Sequence, residues 1–150
     1  MTADRVLTKE RVGNRKLRAI RYHYIPTPPL GIAGIVVERT DDLLRLQQEL
    51  LDAVAPFVEK SGTAAAFVST EDGRDIQPGL IDYVTRFTAI AAGEKFNPHV
   101  TIGVAAETFL NEMLAEPFKA FTFSPAGASV YQLGTFGSAR KKLERLSLGP

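Results

Sequence analysis

The sequence predicts an α+β fold, with an antiparallel sheet and flanking helices. Residues 17–25 alternate apolar and polar side chains, residues 30–38 form an almost continuous apolar run, and residues 41–58 repeat leucines at helical spacing. The predicted elements follow one another as strand, strand, helix, short segment, helix, strand, helix, strand and strand. This irregular order suits helices packed on an antiparallel sheet better than a regular βαβ repeat.

Length and composition are those of one globular domain. The chain has 150 residues, 45% of them hydrophobic and 23% charged, which is enough for one core. Residues 1–16 are polar and basic, without the apolar stretch of a secretory signal, and we interpret them as a flexible or helical lead-in to a domain over 17–150. No apolar run is long enough to predict a membrane span. The absence of cysteine excludes disulfides and thiol catalysis, and favours a cytoplasmic location.

The first half of the chain predicts two strands and a long helix. Leu17, Ala19, Tyr22 and Tyr24 mark a half-buried strand that we expect to end at the prolines of 26–29. The apolar run 30–38 predicts a central strand buried on both faces. Thr40 or Asp41 caps a helix over 41–58, whose broad apolar stripe predicts core packing.

The second half predicts shorter elements. Residues 62–69 form a short strand or helix, 70–79 a loop, 80–92 a helix and 93–95 a turn. A strand over 97–105 and a helix over 107–115 follow. Strands over 118–123 and 128–133, a turn over 134–138, and a short strand or helical tail over 140–146 complete the chain.

The most informative motif lies in the strand over 97–105. His99 and Thr101 are two residues apart in a β-branched stretch, so their side chains share one face of the strand. We expect Val100 and Ile102 to turn into the core behind them. An imidazole beside a hydroxyl can hold a phosphate group and move a proton. From spacing alone, an ordinary strand with two polar residues on its solvent-exposed face is the simpler interpretation. That one of only two histidines lies in this strand favours a site.

Charge is unevenly distributed, although the net charge is only +1. Residues 1–25 hold seven basic and two acidic residues, and residues 136–150 hold four basic residues and one acidic residue. The middle of the chain is therefore acidic. Basic ends on an acidic body indicate an edge that faces anions, such as phosphate or RNA. Solvated terminal charge is the simpler interpretation for either end alone.

The stretch from Phe96 to Ile102, which contains Asn97, Pro98, His99 and Thr101, resembles the second signature of the 2H phosphoesterases. This superfamily includes 2′-5′ RNA ligase-like proteins and 2′,3′-cyclic nucleotide phosphodiesterases. Its members carry two H-x-[ST]-x motifs in a bilobal α+β fold. The likeness covers roughly residues 17–146. It implies an incomplete form of that fold, with His99 as acid or base and Thr101 as a donor to phosphate.

The first H-x-[ST]-x motif of the family is absent. The other histidine, His23, has the spacing H-x-x-x-T. The resemblance therefore implies a chain that lacks the first strand, helix and catalytic strand. Opening a phosphodiester needs one group to activate the attacking oxygen and another to protonate the leaving oxygen. We expect slow or absent turnover unless His23, or a partner chain, completes the site.

Four further residues are candidates for substrate binding. Tyr131 matches the late tyrosine of the family and is equally well explained as a half-buried strand aromatic, while Phe96 could stack a nucleobase or pack in the core. His23 and its neighbour Tyr24 complete the set. Tyr22 and Tyr24 should share one strand face, with His23 on the other. No metal site and no cofactor are expected, because no carboxylate lies at ligand spacing from His99.

Three functions remain open at this point. The first is a phosphoesterase that hydrolyses or transesterifies 2′,3′-cyclic or 2′-5′ phosphodiesters of a nucleotide or RNA. The second is a catalytically impaired relic that binds RNA or nucleotides. The third is a homodimerisation module, in which the sheet edge left by the missing strand pairs with another copy.

Overall fold

A computed structural model describes residues 2–9, 12–70 and 72–146. The six strands, in chain order, are β1 (Leu17–Thr27), β2 (Leu30–Val37), β3 (His99–Ala106), β4 (Phe121–Phe123), β5 (Ala128–Leu133) and β6 (Ala139–Leu146). The α-helices are α1 (Ala3–Lys9), α2 (Asp41–Val54), α3 (Pro78–Thr85), α4 (Phe87–Ala91) and α5 (Glu107–Ala115). Short 3₁₀ turns lie at Val12–Asn14, Ala55–Phe57, Ala64–Ala66, Gly93–Lys95 and Thr135–Gly137.

The larger sheet is antiparallel and has four strands in the order β3-β2-β1-β4. β1 and β2 form a tight hairpin around Pro28 and Pro29, and β3 pairs with the other side of β2. β5 and β6 form a separate two-stranded sheet. The predicted α+β class with an antiparallel sheet is confirmed.

The main core lies where α1 and α2 meet the end of β2. Val6 and Leu7 of α1 are buried there with Val37 of β2 and with Leu43 and Leu46 of α2. The Oγ1 atom of Thr40 accepts a hydrogen bond from the Leu43 amide (3.3 Å), so Thr40 is the N-cap of α2. Thr40 was one of the two N-cap residues that the sequence predicted. Aspartates in the first turn of α2 complement the helix dipole.

The opposite end of β2 packs on α5. Leu110 of α5 is fully buried against Gly31 and Tyr24. The Tyr24 hydroxyl donates to Oδ1 of Asn111 (3.0 Å), and the ring of Tyr22 meets Phe118 edge-on (4.8 Å between centroids). The two tyrosines therefore share one face of β1, as expected from strand alternation.

A second group of contacts joins the small hairpin to the loop over 69–76. The Asp75 carboxylate accepts hydrogen bonds from the hydroxyls of Ser69, Thr70 and Thr135. The Val68 amide donates to the carbonyl of Leu133 (2.8 Å). These hydrogen bonds connect Ser69, Thr70 and Asp75 to the small hairpin, and Ile76 is buried beside them in sequence.

Several predicted details were wrong. β3 lies at a sheet edge, so Val100 and Ile102 are 44% and 50% exposed instead of buried. β1 continues through Pro26 and Thr27, because only Pro28 and Pro29 form the turn. The helix expected over 80–92 is two short helices that meet at Arg86, and β4 begins only at Phe121. α2 ends at Val54 and continues as a 3₁₀ turn.

Candidate functional site

The two histidines of the chain meet on one face of the four-stranded sheet. Their ring centroids lie 5.0 Å apart, with the ring planes at 67°. His23 is on β1 and His99 is at the start of β3, so the two strands are separated by β2. Two strand spacings amount to about 10 Å between backbones, which means that a side chain has to reach across β2 for the rings to touch.

Gly34 makes this contact geometrically feasible. It lies beside His23 in the β1–β2 register and beside Thr101 in the β2–β3 register. An ideal Cβ atom at Gly34 would lie 2.5 Å from Nε2 of His23, inside any normal contact distance. The imidazole of His23 therefore occupies the space that a side chain at position 34 would fill, and lies over β2 toward His99.

His99 is exposed, and its ring is oriented by the backbone. Its Nδ1 atom lies 2.7 Å from the carbonyl oxygen of Asn97. Because a carbonyl oxygen only accepts, this contact assigns the proton to Nδ1 and leaves Nε2 as the atom that can accept or deliver a proton. The backbone of the segment just before β3 thus fixes both the tautomer and the direction of the ring.

His23 is held neutral by its surroundings. Burial lowers the pKa of His23 from its ordinary value, and the nearby charges of His99 and Arg21 lower it further. Its Nε2 atom is buried and makes no hydrogen bond to any residue that the structure describes. At neutral pH the pair therefore combines a neutral, half-buried imidazole with an exposed one.

A hydroxyl and a cation lie on the same face. His99 pairs with Val36, and Thr101 pairs with Gly34, which in turn pairs with His23. The pairing is regular over this part of β3, since its irregularity comes only after Thr101. The side chains of His99, Thr101 and His23 therefore lie on one side of the sheet. Arg21 of β1 pairs with Val36 of β2, the residue that pairs with His99 on the other side of β2. The face that carries the imidazoles thus also carries a hydroxyl donor and a positive charge, both suited to an anion.

Two cavities flank the segment 95–98 that leads into β3. One, of about 400 Å³, includes three basic residues in its lining, Arg21, Arg39 and Lys95. Glu94 is the only acidic residue in that lining, and its backbone carbonyl accepts a hydrogen bond from Arg39. The other, of about 450 Å³, is mostly apolar and includes His99 in its wall. A basic cavity and an apolar cavity therefore share the segment 95–98 as part of their walls, and His99 lines the apolar one.

The other predicted site residues are distributed over the molecule. Phe96 packs partly against the main core and lines both cavities beside His99. Tyr24 lies on the opposite sheet face, where Asn111 holds its hydroxyl. Tyr131 is on β5 of the small sheet, opposite Lys142. The structure thus brings together His23, His99 and Thr101, with Phe96 at the edge of the group.

Sequence reasoning missed Gly34, Arg21 and Arg39 as parts of this site. A glycine within an apolar strand indicates a close approach by another group, so Gly34 carried a usable signal. Arg21 contributed only to the basic charge of residues 1–25, and Arg39 carried no signal, because the sequence does not show which basic residues converge. Among the residues that the structure describes, no group of three or more His, Asp or Glu side chains is placed to hold a metal ion.

Comparison of the chain with protein-family models, with curated proteins and with solved structures gives no match. Within the described ranges, no helix combines the length and apolar character needed to cross a membrane. The interpretation of the site therefore depends on its geometry and on the residues of the β3 motif.

Proposed function

We propose that the protein is a phosphoesterase of the 2H type, acting on 2′,3′-cyclic or 2′-5′ phosphodiesters of nucleotides or RNA. The observation that carries this proposal is the contact between His23 and His99. The sequence contains a single H-x-[ST]-x motif. The second imidazole comes from His23 of β1, which β2 separates from β3 and which has a different spacing to its threonine. The pair supplies the two proton-transfer groups that such a reaction needs.

The roles follow from the environments of the two rings. His23, whose pKa is lowered, is neutral and accepts the proton of the attacking water. Because its Nε2 atom is buried, we assign proton acceptance to Nδ1. The water oxygen forms a bond to phosphorus as the bond from phosphorus to the 2′ or 3′ oxygen breaks. His99 acts as the imidazolium, with one proton on Nδ1 held by the Asn97 carbonyl and a second on Nε2. It delivers the Nε2 proton to the leaving oxygen, so the pair takes up one proton and releases one.

Thr101 and the cations support the anionic part of this reaction. The Thr101 hydroxyl can donate to a non-bridging phosphate oxygen, and donors placed where negative charge develops are a large source of rate enhancement. Arg21, Arg39 and Lys95 line the neighbouring cavity and favour a polyanion such as RNA. The proposal therefore covers linkages within RNA as well as in small nucleotides.

The decisive experiment compares turnover of a 2′,3′-cyclic nucleotide by the wild type, His99→Ala, His23→Ala and Val100→Ala. Val100 is adjacent to His99, but its side chain points to the other face of β3. We expect each histidine variant to lose about 10²–10⁴-fold in kcat/KM, with Val100→Ala close to the wild type. Full activity in His99→Ala would refute the proposal. Salt-dependent RNA binding by a wild type without turnover would instead identify a binding relic.

A second candidate function is favoured by the edge strand β3. Its eight residues include no Asp, Glu, Lys, Arg or Pro, and Val100, Ile102 and Val104 are each 44–50% exposed. Natural sheet edges usually carry charge or proline that prevents pairing with another strand. An antiparallel β3–β3 contact between two copies would cover part of these exposed side chains and pair the free backbone groups of the edge.

Sedimentation of the wild type, Ile102→Lys and Val130→Lys tests this homodimer. Val130 is 42% exposed and lies on β5 of the other sheet. A dimer that is lost only in Ile102→Lys would support edge pairing. A wild type that sediments as a monomer at high concentration would rule it out.

A further inference from the structure

The apolar cavity beside His99 has both polar and hydrophobic side chains in its wall. Its polar side chains, Lys95, Asn97 and His99, are close in sequence, in and just before the start of β3. The rest of its wall is hydrophobic and comes from β1, α3, α4 and the segment before β3: Ile25, Tyr83, Phe87, Ile90, Ala91, Phe96 and Pro98. The volume of about 450 Å³ lies within the range of small-molecule sites.

Aromatic rings of Tyr83, Phe87 and Phe96 are part of the hydrophobic wall. Tyr83 of α3 and Phe87 of α4 meet edge-to-face, with centroids 6.0 Å apart and planes at 84°. Tyr83 is 44% exposed, so part of its ring remains open to a ligand. Aromatic faces bind planar rings by stacking, with little dependence on the identity of the ring. An elongated aliphatic chain would gain less from such a wall.

His99 gives this cavity a group that can contact a phosphate. His99 forms part of the wall, and its Nε2 atom is the one left for proton transfer. A ligand with its phosphate at His99 would direct its attached group along the wall toward Tyr83 and Phe87. The Nζ atom of Lys95 donates to the Ala89 carbonyl of α4 (2.9 Å), so the charge of Lys95 lies beside that helix.

We infer that this cavity is a nucleobase site, which holds the base of the nucleotide whose phosphate is bound by the histidine pair. The inference rests on the proposed phosphoesterase function and adds to it a place for the base. It assigns to Tyr83 and Phe87 a binding role that neither the β3 motif nor the spacing of the histidines indicates.

The test uses adenosine, which has a base but no phosphate, so that base binding is measured separately from phosphate chemistry. Binding is followed by NMR titration of the wild type, Ala91→Phe and Ala89→Phe. Ala91 lines the cavity, whereas Ala89 is an exposed residue of the same helix outside that lining. We expect the phenyl group at position 91 to fill the cavity and to weaken adenosine binding at least ten-fold, with Ala89→Phe close to the wild type.

A second pair of variants tests the cavity independently, in case Ala91→Phe does not fold. Tyr83→Ala removes the exposed stacking ring and should weaken binding about ten-fold, whereas Val84→Ala, a change of a residue with similar exposure on the same helix, should not. Adenosine that does not bind, or that binds the folded Tyr83→Ala variant as tightly as the wild type, would overturn the nucleobase site. Failure of the proposed function is recognised separately: adenosine binds at this cavity, but His99→Ala has no effect on turnover.

Discussion

Replacing Gly34 by alanine should separate the histidine pair while leaving the fold in place. The new Cβ atom would lie 2.5 Å from Nε2 and 3.0 Å from Cδ2 of His23, and 3.1 Å from the carbonyl oxygen of Val100. Normal contacts begin at about 3.5 Å, so the ring has to move by about 1 Å. Because the ring is the end of a side chain with two rotatable bonds, it can turn aside more easily than the strand can shift.

The expected magnitudes differ for stability and for activity. Overpacking costs about 1–3 kcal/mol, and the lower backbone entropy of alanine in the unfolded chain offsets about 0.4–1 kcal/mol of this. We therefore expect a net loss of about 1–2 kcal/mol in the free energy of unfolding. A catalytic group displaced by 1 Å costs about 10²-fold in rate. Activity should thus fall far more than stability.

Two other glycines of the same sheet provide matched controls. A Cβ atom at Gly31 would lie 2.6 Å from both Leu110 and Tyr24, so Gly31→Ala creates similar crowding on the opposite face. A Cβ atom at Gly103 would have no heavy atom within 4 Å, apart from those of the residue itself and its chain neighbours. We expect Gly31→Ala to lose stability but keep the pair, and Gly103→Ala to change neither.

The assay combines chemical denaturation and turnover with the NMR signals of the two imidazoles. Since the chain has only two histidines, a nuclear Overhauser effect between their ring protons reports their contact directly. This signal should be present in the wild type and both controls, and absent in Gly34→Ala. If Gly34→Ala keeps both the inter-ring signal and full activity, the explanation of how His23 reaches His99 is wrong.

Three further predictions concern charge and pH. The folded-state pKa of His23 is lowered. The stability that depends on neutral His23 is therefore complete above pH 6.5 and is lost as pH falls toward the folded-state pKa. The free energy of unfolding of His23→Gln, measured by chemical denaturation, should lack this pH dependence. Hydrogen bonds to the Asp75 carboxylate lower its pKa, and the bond from Ser69 has the largest effect. Asp75→Asn should therefore lower Tm at pH 7 and have progressively less effect below pH 4. Arg39→Ala should weaken RNA binding and reduce its salt slope by about one, whereas exposed Lys60→Ala should leave both unchanged.

The sequence alone determined the local structure to a large extent. The alternation around Tyr22 and Tyr24 placed β1 and assigned its faces, and Thr40 marked the start of α2. The i and i+2 spacing of His99 and Thr101 was enough to put them on one strand face. These features depend on backbone periodicity and capping, which act between residues that are neighbours in sequence.

Only the tertiary structure decided which strands are neighbours and which lies at the edge. The same β-branched run that predicted β3 could not show that Val100 and Ile102 would be exposed, because burial depends on what packs on either side. The contact of His23 with His99 depends on strand order and register, and on Gly34 lying between them. Residues that are 76 positions apart in sequence meet only when a sheet brings their strands together, and periodicity within each segment holds no information about that pairing.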